Sequence, residues 1–395
     1  MRRSPALWVA LALLVAGCSP FGSLRRPVVQ PAPAPLPTEI RQELPIADAT
    51  HRFQVAAGQD VVGTVQSTVA SREDTLPDIA RRFNVGYEEI VRANPGVDPW
   101  LPGEGREITL PTQFVLPDAP REGLVINVAA MRLYYYPSRR KGEPVTVITH
   151  PIGIGKVGWA TPEGETKVVS RKKDPFWIPP VSVRQEHLKD GDELPPKVAP
   201  GPDNPLGRHL FRLEWPSYLI HGTNKPYGVG MRSSHGCIRL YPEDVELLFD
   251  SLPIGTKVRV VNQPYMLGWR GEALYVQAYG PLEDDKRNWQ HGPRSLRKKA
   301  AITKSPLWKR IAAQDAQIDW DRAWQASQKP RGVPVPVTRA HAADIDSVLA
   351  IAPHVRNALP RGATWDGNED QYAGEAAFRE LQAESEKPAA GGGQR

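Results

Sequence analysis

The run His221-Gly222-Thr223-Asn224 leads through a loop-like stretch containing Gly228 and Gly230 into Ser233-Ser234-His235-Gly236-Cys237-Ile238-Arg239-Leu240. A thiol attacks only as its thiolate, and a free pKa of about 8.5 leaves a few per cent ionised at neutral pH, so a nucleophilic cysteine needs an imidazole in reach. Two are available. If residues 235–237 are extended, His235 and Cys237 share a face and His235 flanks the sulfur. His221 ends the strand-like Tyr218-Leu219-Ile220 and would reach the sulfur from a neighbouring strand. Sequence alone favours neither as the base. Gly236 gives the backbone room to turn its amides toward a developing oxyanion. These residue types at this spacing suit a thiol nucleophile activated by an imidazole.

The elements that must position these residues are strands. Leu124-Val125-Ile126-Asn127-Val128, Leu133-Tyr134-Tyr135-Tyr136, Val145-Thr146-Val147-Ile148-Thr149, Lys167-Val168-Val169-Ser170 and Lys257-Val258-Arg259-Val260-Val261 are rich in β-branched and aromatic residues. They predict a mostly-β, sandwich-like and mostly antiparallel domain over residues 120–263. One helix interrupts it at Pro242-Glu243-Asp244-Val245-Glu246-Leu247-Leu248-Phe249, with proline and acids in its first turn.

On these residues the chain resembles the L,D-transpeptidase catalytic domain, also called the YkuD domain. Its pattern is a histidine, a spacer, then Ser/Thr-His-Gly-Cys, an apolar residue and Asn or Arg; here it reads His221, then Ser234-His235-Gly236-Cys237-Ile238-Arg239. Thr161-Pro162-Glu163-Gly164 resembles the family's upstream turn and Pro151-Ile152-Gly153-Ile154-Gly155 the strand before it. The resemblance implies Cys237 as nucleophile and His221 as general base, with the Gly222 carbonyl orienting His221. It further implies that His235, Gly236 and Cys237 form the oxyanion-stabilising turn, and that Arg239 and Ser234 bind substrate; many relatives have Asn where Arg239 stands. The implied reaction acts on peptidoglycan tetrapeptide stems through a thioester acyl-enzyme. The acyl group passes to a lipoprotein lysine or to a second diaminopimelate; water as acceptor would make the enzyme an L,D-carboxypeptidase. The alternative is a non-catalytic peptidoglycan-binding lipoprotein. Neither a cofactor nor a metal is implied.

The N-terminus sets the compartment. Met1-Arg2-Arg3, the apolar run Ala6 to Ala16 and the small residues Val15-Ala16-Gly17 before Cys18 read as an export signal over residues 1–18, too short to span a bilayer, which takes about 20 residues. It resembles a bacterial lipoprotein signal, which implies lipidation of Cys18 and a lipid-anchored periplasmic protein. Ser19 lacks the acidic residue that retains relatives on the inner membrane, so the outer membrane is expected. Lipidation of Cys18 leaves Cys237 as a free thiol in an oxidising compartment. Residues 19–50, with Pro31-Ala32-Pro33-Ala34-Pro35-Leu36-Pro37, predict an extended tether. Residues 51–112 follow the order strand, helix, helix, strand from Thr68 to Pro111. Through Asp74-Thr75-Leu76, Ile79-Ala80-Arg81-Arg82-Phe83, Asn94-Pro95 and Ile108-Thr109-Leu110-Pro111 the unit resembles a LysM module, which implies peptidoglycan binding.

Length and composition bound these readings: 395 residues with 40% apolar and 24% charged suffice for two or three domains, and 41 prolines favour extended and loop-rich segments. A net charge of +6 from 50 basic and 44 acidic residues does not by itself imply nucleic acid. Gly153-Ile154-Gly155-Lys156-Val157-Gly158 fits G-x-G-x-x-G, yet Trp159-Ala160-Thr161-Pro162 follows where a dinucleotide fold needs a helix. Zinc on His221, His235 and Cys237 lacks a fourth ligand at motif-like spacing. Residues 264–395 predict a partly helical extension. It has a short β-like piece at Ala273-Leu274-Tyr275-Val276-Gln277, a solvated basic stretch from Lys286 to Arg310, one helix from Ser305-Pro306 through Trp324, and a mobile tail from Gly332 onward.

Overall fold

The computed structural model describes residues 44–297 and 305–365. The expected signal segment with Cys18, most of the proline-rich tether and the end at Gly391-Gly392-Gly393 lie outside them. Nine strands form the main sheet, in the order His51–Val55, Val145–Pro151, Arg132–Tyr136, Gly123–Asn127, Lys257–Val261, Gly164–Lys173, His209–Leu213, Leu219–His221 and Ile238–Arg239. Pairing is antiparallel except between Lys257–Val261 and Gly123–Asn127 and between Leu219–His221 and Ile238–Arg239, which run parallel. The catalytic-type domain is therefore mostly β, as its strand-forming sequence requires.

The central strands are apolar without interruption because both faces are covered. Leu124, Ile126, Leu133 and Tyr135 pack with Phe211, Ile220, Ile238 and the helix residues Val245 and Leu248, while Val125, Tyr134 and Tyr136 face Val62, Phe114 and Val147. The second face is closed by the N-terminal residues. The strand His51–Val55, which the sequence groups with the small module, is instead an edge of the main sheet, paired in register with Val145–Thr149.

The small unit folds as strand Gln66–Val69, helices Leu76–Arg82 and Tyr87–Ala93, and strand Glu107–Leu110. Thr75 and Asp78 form a reciprocal capping box at the first helix. Asn94 ties the second helix to the last strand, donating to the Ile90 and Thr109 carbonyls and accepting from the Thr109 amide. Its core is Leu76, Ile79, Phe83, Ile90, Ile108 and Leu110.

This unit is docked on the main domain beside the sequence motif. Gly86 meets Gly230 so closely that a Cβ on Gly230, whose φ is +89°, would lie 2.3 Å from the Tyr87 nitrogen; the amides of Tyr87 and Glu88 donate to the Val229 and Gly230 carbonyls. Arg81 pairs with Glu243, Asn84 donates to Asp244, and Arg132 grips Glu89 in a two-pronged ion pair at 2.7 and 2.8 Å. The Arg132 and Glu89 side chains are 0% and 3% exposed.

Three expectations for the flanking regions fail. The tether does not run to residue 50: Ala47 packs on the small unit's core, and the Ala49 amide and Ala47 carbonyl bond to Arg361. The tail from Gly332 is not mobile over the described residues. Val333, Val335 and Val337 are buried, Val335–Pro336 pairs with Ala273–Ala278, and Val355 fills the small unit's core. The prolines that suggest a loop are tolerated because Val335–Pro336 is the edge of its three-stranded sheet. The helix from Pro306 does not continue through Trp324. It stops at Ala313, and a new helix starts at Trp320, where Asp319 caps the Arg322 amide and the Trp320 indole donates to Asp315. These pieces share a core of Trp269, Val276, Trp308, Ile311 and Val335, so the described part of the extension is a folded β-plus-helix layer.

Glu89→Gln leaves the Arg132 guanidinium buried against a neutral partner, so the folded state should lose about 3–5 kcal/mol in urea unfolding, and Glu89→Leu with Arg132→Met together should recover most of it.

Candidate active site

The sequence motif lies where two short parallel strands end. His221 is the last residue of Leu219–His221 and pairs in register with Arg239; Ser234 ends the strand Arg232–Ser234 that runs beside Ile154–Gly155. Between Ser234 and Ile238 the chain turns, because Gly236 has φ +100°. A Cβ there would lie 2.8 Å from Tyr218 Cε1, so glycine is required both for conformation and for space.

Two hydroxyls staple the turn. Ser234 Oγ donates to the Cys237 carbonyl and accepts from the Gly236 amide at 3.2 Å. Thr161 Oγ1 donates to the Gly236 carbonyl at 3.0 Å and accepts from the Gly155 amide at 3.2 Å. Thr161 belongs to the Thr-Pro-Glu-Gly run, and this contact is its physical role. The turn corrects one expectation: residues 235–237 are not extended, so His235 does not share a face with Cys237 as alternate residues of a strand would. It also removes one oxyanion donor, since the Gly236 N–H is taken by Ser234.

Cys237, His221, His235, Ser234 and Arg239 all line one cavity of about 820 Å³, walled by Trp159, Phe176, Trp177 and Tyr218. Gly222 orients His221, whose Nδ1 lies 2.6 Å from the Gly222 carbonyl. A carbonyl only accepts, so Nδ1 carries the proton and Nε2 keeps its lone pair. His235 is held differently. Its Nε2 lies 3.0 Å from Glu186, its ring stands edge-on to Trp159 at 5.0 Å, and Glu186 also pairs with the buried Lys156. Arg239 reaches the Ser233 hydroxyl at 3.2 Å.

The electrostatics disfavour a resting thiolate. Burial pushes the Cys237 thiol above its ordinary value, against smaller opposing help from the Leu219 amide and the Arg239 charge. The thiol donates instead to the Ser217 carbonyl at 3.7 Å, and Ser217 has φ +67°, a conformation uncommon for a non-glycine residue. Burial, with Arg239 adding repulsion, holds His221 down to about 3; burial and Lys156 hold His235 at about 4. Both imidazoles and the thiol are neutral near pH 7.

Glu186 and Lys156 escaped sequence reading. Glu186 sits in Arg184-Gln185-Glu186-His187, which carries no motif, and contact with His235 arises only from the fold. Among the described residues no group of three or more His, Cys, Asp or Glu side chains is arranged to hold a metal ion.

Gly236→Ala should abolish acylation of Cys237 and cost about 1–3 kcal/mol of stability, read by thiol labelling and thermal unfolding. Alkylation of Cys237 should rise with pH along a curve centred above the ordinary thiol value. The unfolded chain protonates these histidines near 6.5, but the folded chain only near 4 and 3. Unfolding therefore takes up protons in that window, and stability should fall as pH drops from 6.5 toward 3 in denaturant titrations.

Residues 121–260 match the family model for the L,D-transpeptidase catalytic domain, YkuD. The chain is 35% identical over 285 residues to a Salmonella typhimurium protein named probable L,D-transpeptidase ErfK/SrfK, an alignment spanning 71% of this chain and 89% of that one. It is 42% identical over 234 residues to the Escherichia coli protein named probable L,D-transpeptidase YcfS, covering 58% of this chain and 72% of the relative. To the Escherichia coli protein named probable L,D-transpeptidase YbiS it is 40% identical over 237 residues, covering 59% and 76%. With a cysteine, two histidines and an arginine gathered in one cavity on the matching domain, the chain belongs to the L,D-transpeptidase family and is an acyl-transferring enzyme.

Proposed function

We propose that this enzyme works on peptidoglycan tetrapeptide stems through a thioester on Cys237. The supporting observation is the convergence of Cys237, His221 and Arg239 on one cavity, with the His221 tautomer fixed by Gly222. Substrate entry breaks the weak thiol contact to Ser217. Cys237 then attacks the carbonyl at the L-centre of diaminopimelate while His221 Nε2 takes the thiol proton. The amide of Cys237 steadies the oxyanion in the turn that Ser234 and Thr161 hold, and Arg239 holds a carboxylate of the stem. His221 returns the proton to the departing D-alanine amine, leaving the acyl group on sulfur. An acceptor amine loses its proton to the same imidazole, attacks the thioester and releases the thiol. The acceptor is a lipoprotein lysine or a second diaminopimelate.

Around this core, the strand-helix-helix-strand unit is a LysM-like module that grips glycan. Its direct seating on Val229 and Gly230, a few residues before the motif, supports delivery of stems to the cavity. Lipidation at Cys18 and residence in the periplasm at the outer membrane rest on the N-terminal sequence alone.

Incubating the full chain with purified tetrapeptide muropeptides and following mass should show loss of alanine and an acyl adduct on Cys237. Cys237→Ala should show neither, and His221→Gln should slow release about 10²–10⁴-fold. Adding a lysine peptide or a diaminopimelate stem identifies the acceptor by product mass; alanine release with water as the sole acceptor would replace transfer by carboxypeptidase activity. Retained turnover in Cys237→Ala would remove the mechanism.

A further inference from the structure

Residues 174–206 form an insert between the strands Gly164–Lys173 and His209–Leu213, and its helix Val181–Lys189 lies on the cavity wall through Ser182 and Val183. Pro175, Pro179 and Leu206 anchor its two ends, but the apolar anchoring of the helix is thin. Val183 is the one buried residue of that helix, while Phe176, Ile178, Val181 and Leu188 are 46%, 68%, 60% and 61% exposed. A segment with so little buried apolar contact opens at low free-energy cost unless a polar contact holds it. At the end of the insert the Leu206 backbone bonds His221; the polar contact of the helix itself is Glu186. One carboxylate oxygen pairs with Lys156, whose side chain is 2% exposed, and the other lies 3.0 Å from His235 Nε2. Lys156 is itself fixed to the motif, its amide donating to the Ser234 carbonyl at 2.9 Å.

We propose that Glu186 is a positioning residue that latches the insert over the cavity and sets the tautomer of His235. An ionised carboxylate only accepts, so it draws the imidazole proton to Nε2 and leaves Nδ1 as the ring's acceptor. His221 is set the other way round, with its proton on Nδ1 and its lone pair on Nε2. The two histidines thus present opposite nitrogens, and the fold assigns each one through a different partner. Closing the insert and orienting His235 become one event, because the same carboxylate does both.

The proposal rests on the reading of Cys237 as nucleophile, but two of its three readouts need no turnover. Glu186→Ala strands the Lys156 charge, so it is compared with Glu186→Leu combined with Lys156→Met, which removes the latch without leaving an unpaired ion. Both variants should lose about 10–100-fold in kcat for alanine release. Both should also shift the 15N signals of His235 away from the Nε2-protonated form, and both should be alkylated at Cys237 several-fold faster than the unaltered chain as the insert opens. A wild-type rate in the paired variant, an unchanged His235 tautomer, or unchanged alkylation would each overturn the proposal. Absence of alanine release from the unaltered chain, with tautomer and alkylation moving as stated, would instead strike the catalytic reading and leave the latch standing.

Discussion

The turn between Ser234 and Ile238 exists because one residue takes a φ of +100°, and the place of the Cys237 sulfur depends on it. It bends the chain out of the short strand Arg232–Ser234, presents the Cys237 sulfur to the cavity, and returns the backbone to pair with Leu219–His221. Glycine takes that φ without strain, but the bend leaves backbone groups outside any strand ladder. Here the hydroxyls of Ser234 and Thr161 each satisfy two backbone groups. The small unit is seated through Gly86 on Gly230, six residues ahead of Gly236 in the chain.

Neutrality at rest has a chemical use. A thiol held protonated by burial reacts slowly with oxidants and with stray disulfides, because those reactions also need the thiolate. Proton transfer to His221 is favoured only when a carbonyl is in place to take up the sulfur electrons, which ties reactivity to occupancy. Arg239 sharpens this coupling: its charge disfavours a resting imidazolium and favours any anion formed beside it. The site gains selectivity for the moment of attack instead of standing reactivity.

What could be read from sequence was what is local. The Ser-His-Gly-Cys run and the Thr-Pro-Glu-Gly turn are each a few residues long, and the β-branched runs of the central strands reflect burial on both faces. The partners of His235 were illegible because Glu186 and Lys156 come from an insert and a loop that meet only in three dimensions. The i, i+2 argument for His235 failed because glycine at the middle position broke the strand on which it depended. The C-terminal layer was misread for another reason. Alternating prolines mark loops in most settings, but at a sheet edge, with valines between them pointing into a tryptophan-rich core, they are compatible with a strand.

The strap formed by Ala47, Asp48 and Ala49 against Arg361 bears on mechanics. The Ala49 amide bonds to the Arg361 carbonyl and the Arg361 amide to the Ala47 carbonyl, while His354 and Val355 are stitched to Ser67 and Thr68. A pull on the chain ahead of Ala47 would therefore load these main-chain bonds before it reaches the edge strand His51–Val55. That strand and Ile238–Arg239, beside the motif, are the two opposite edges of the nine-stranded sheet, so the load enters the sheet at the margin farthest from the sulfur.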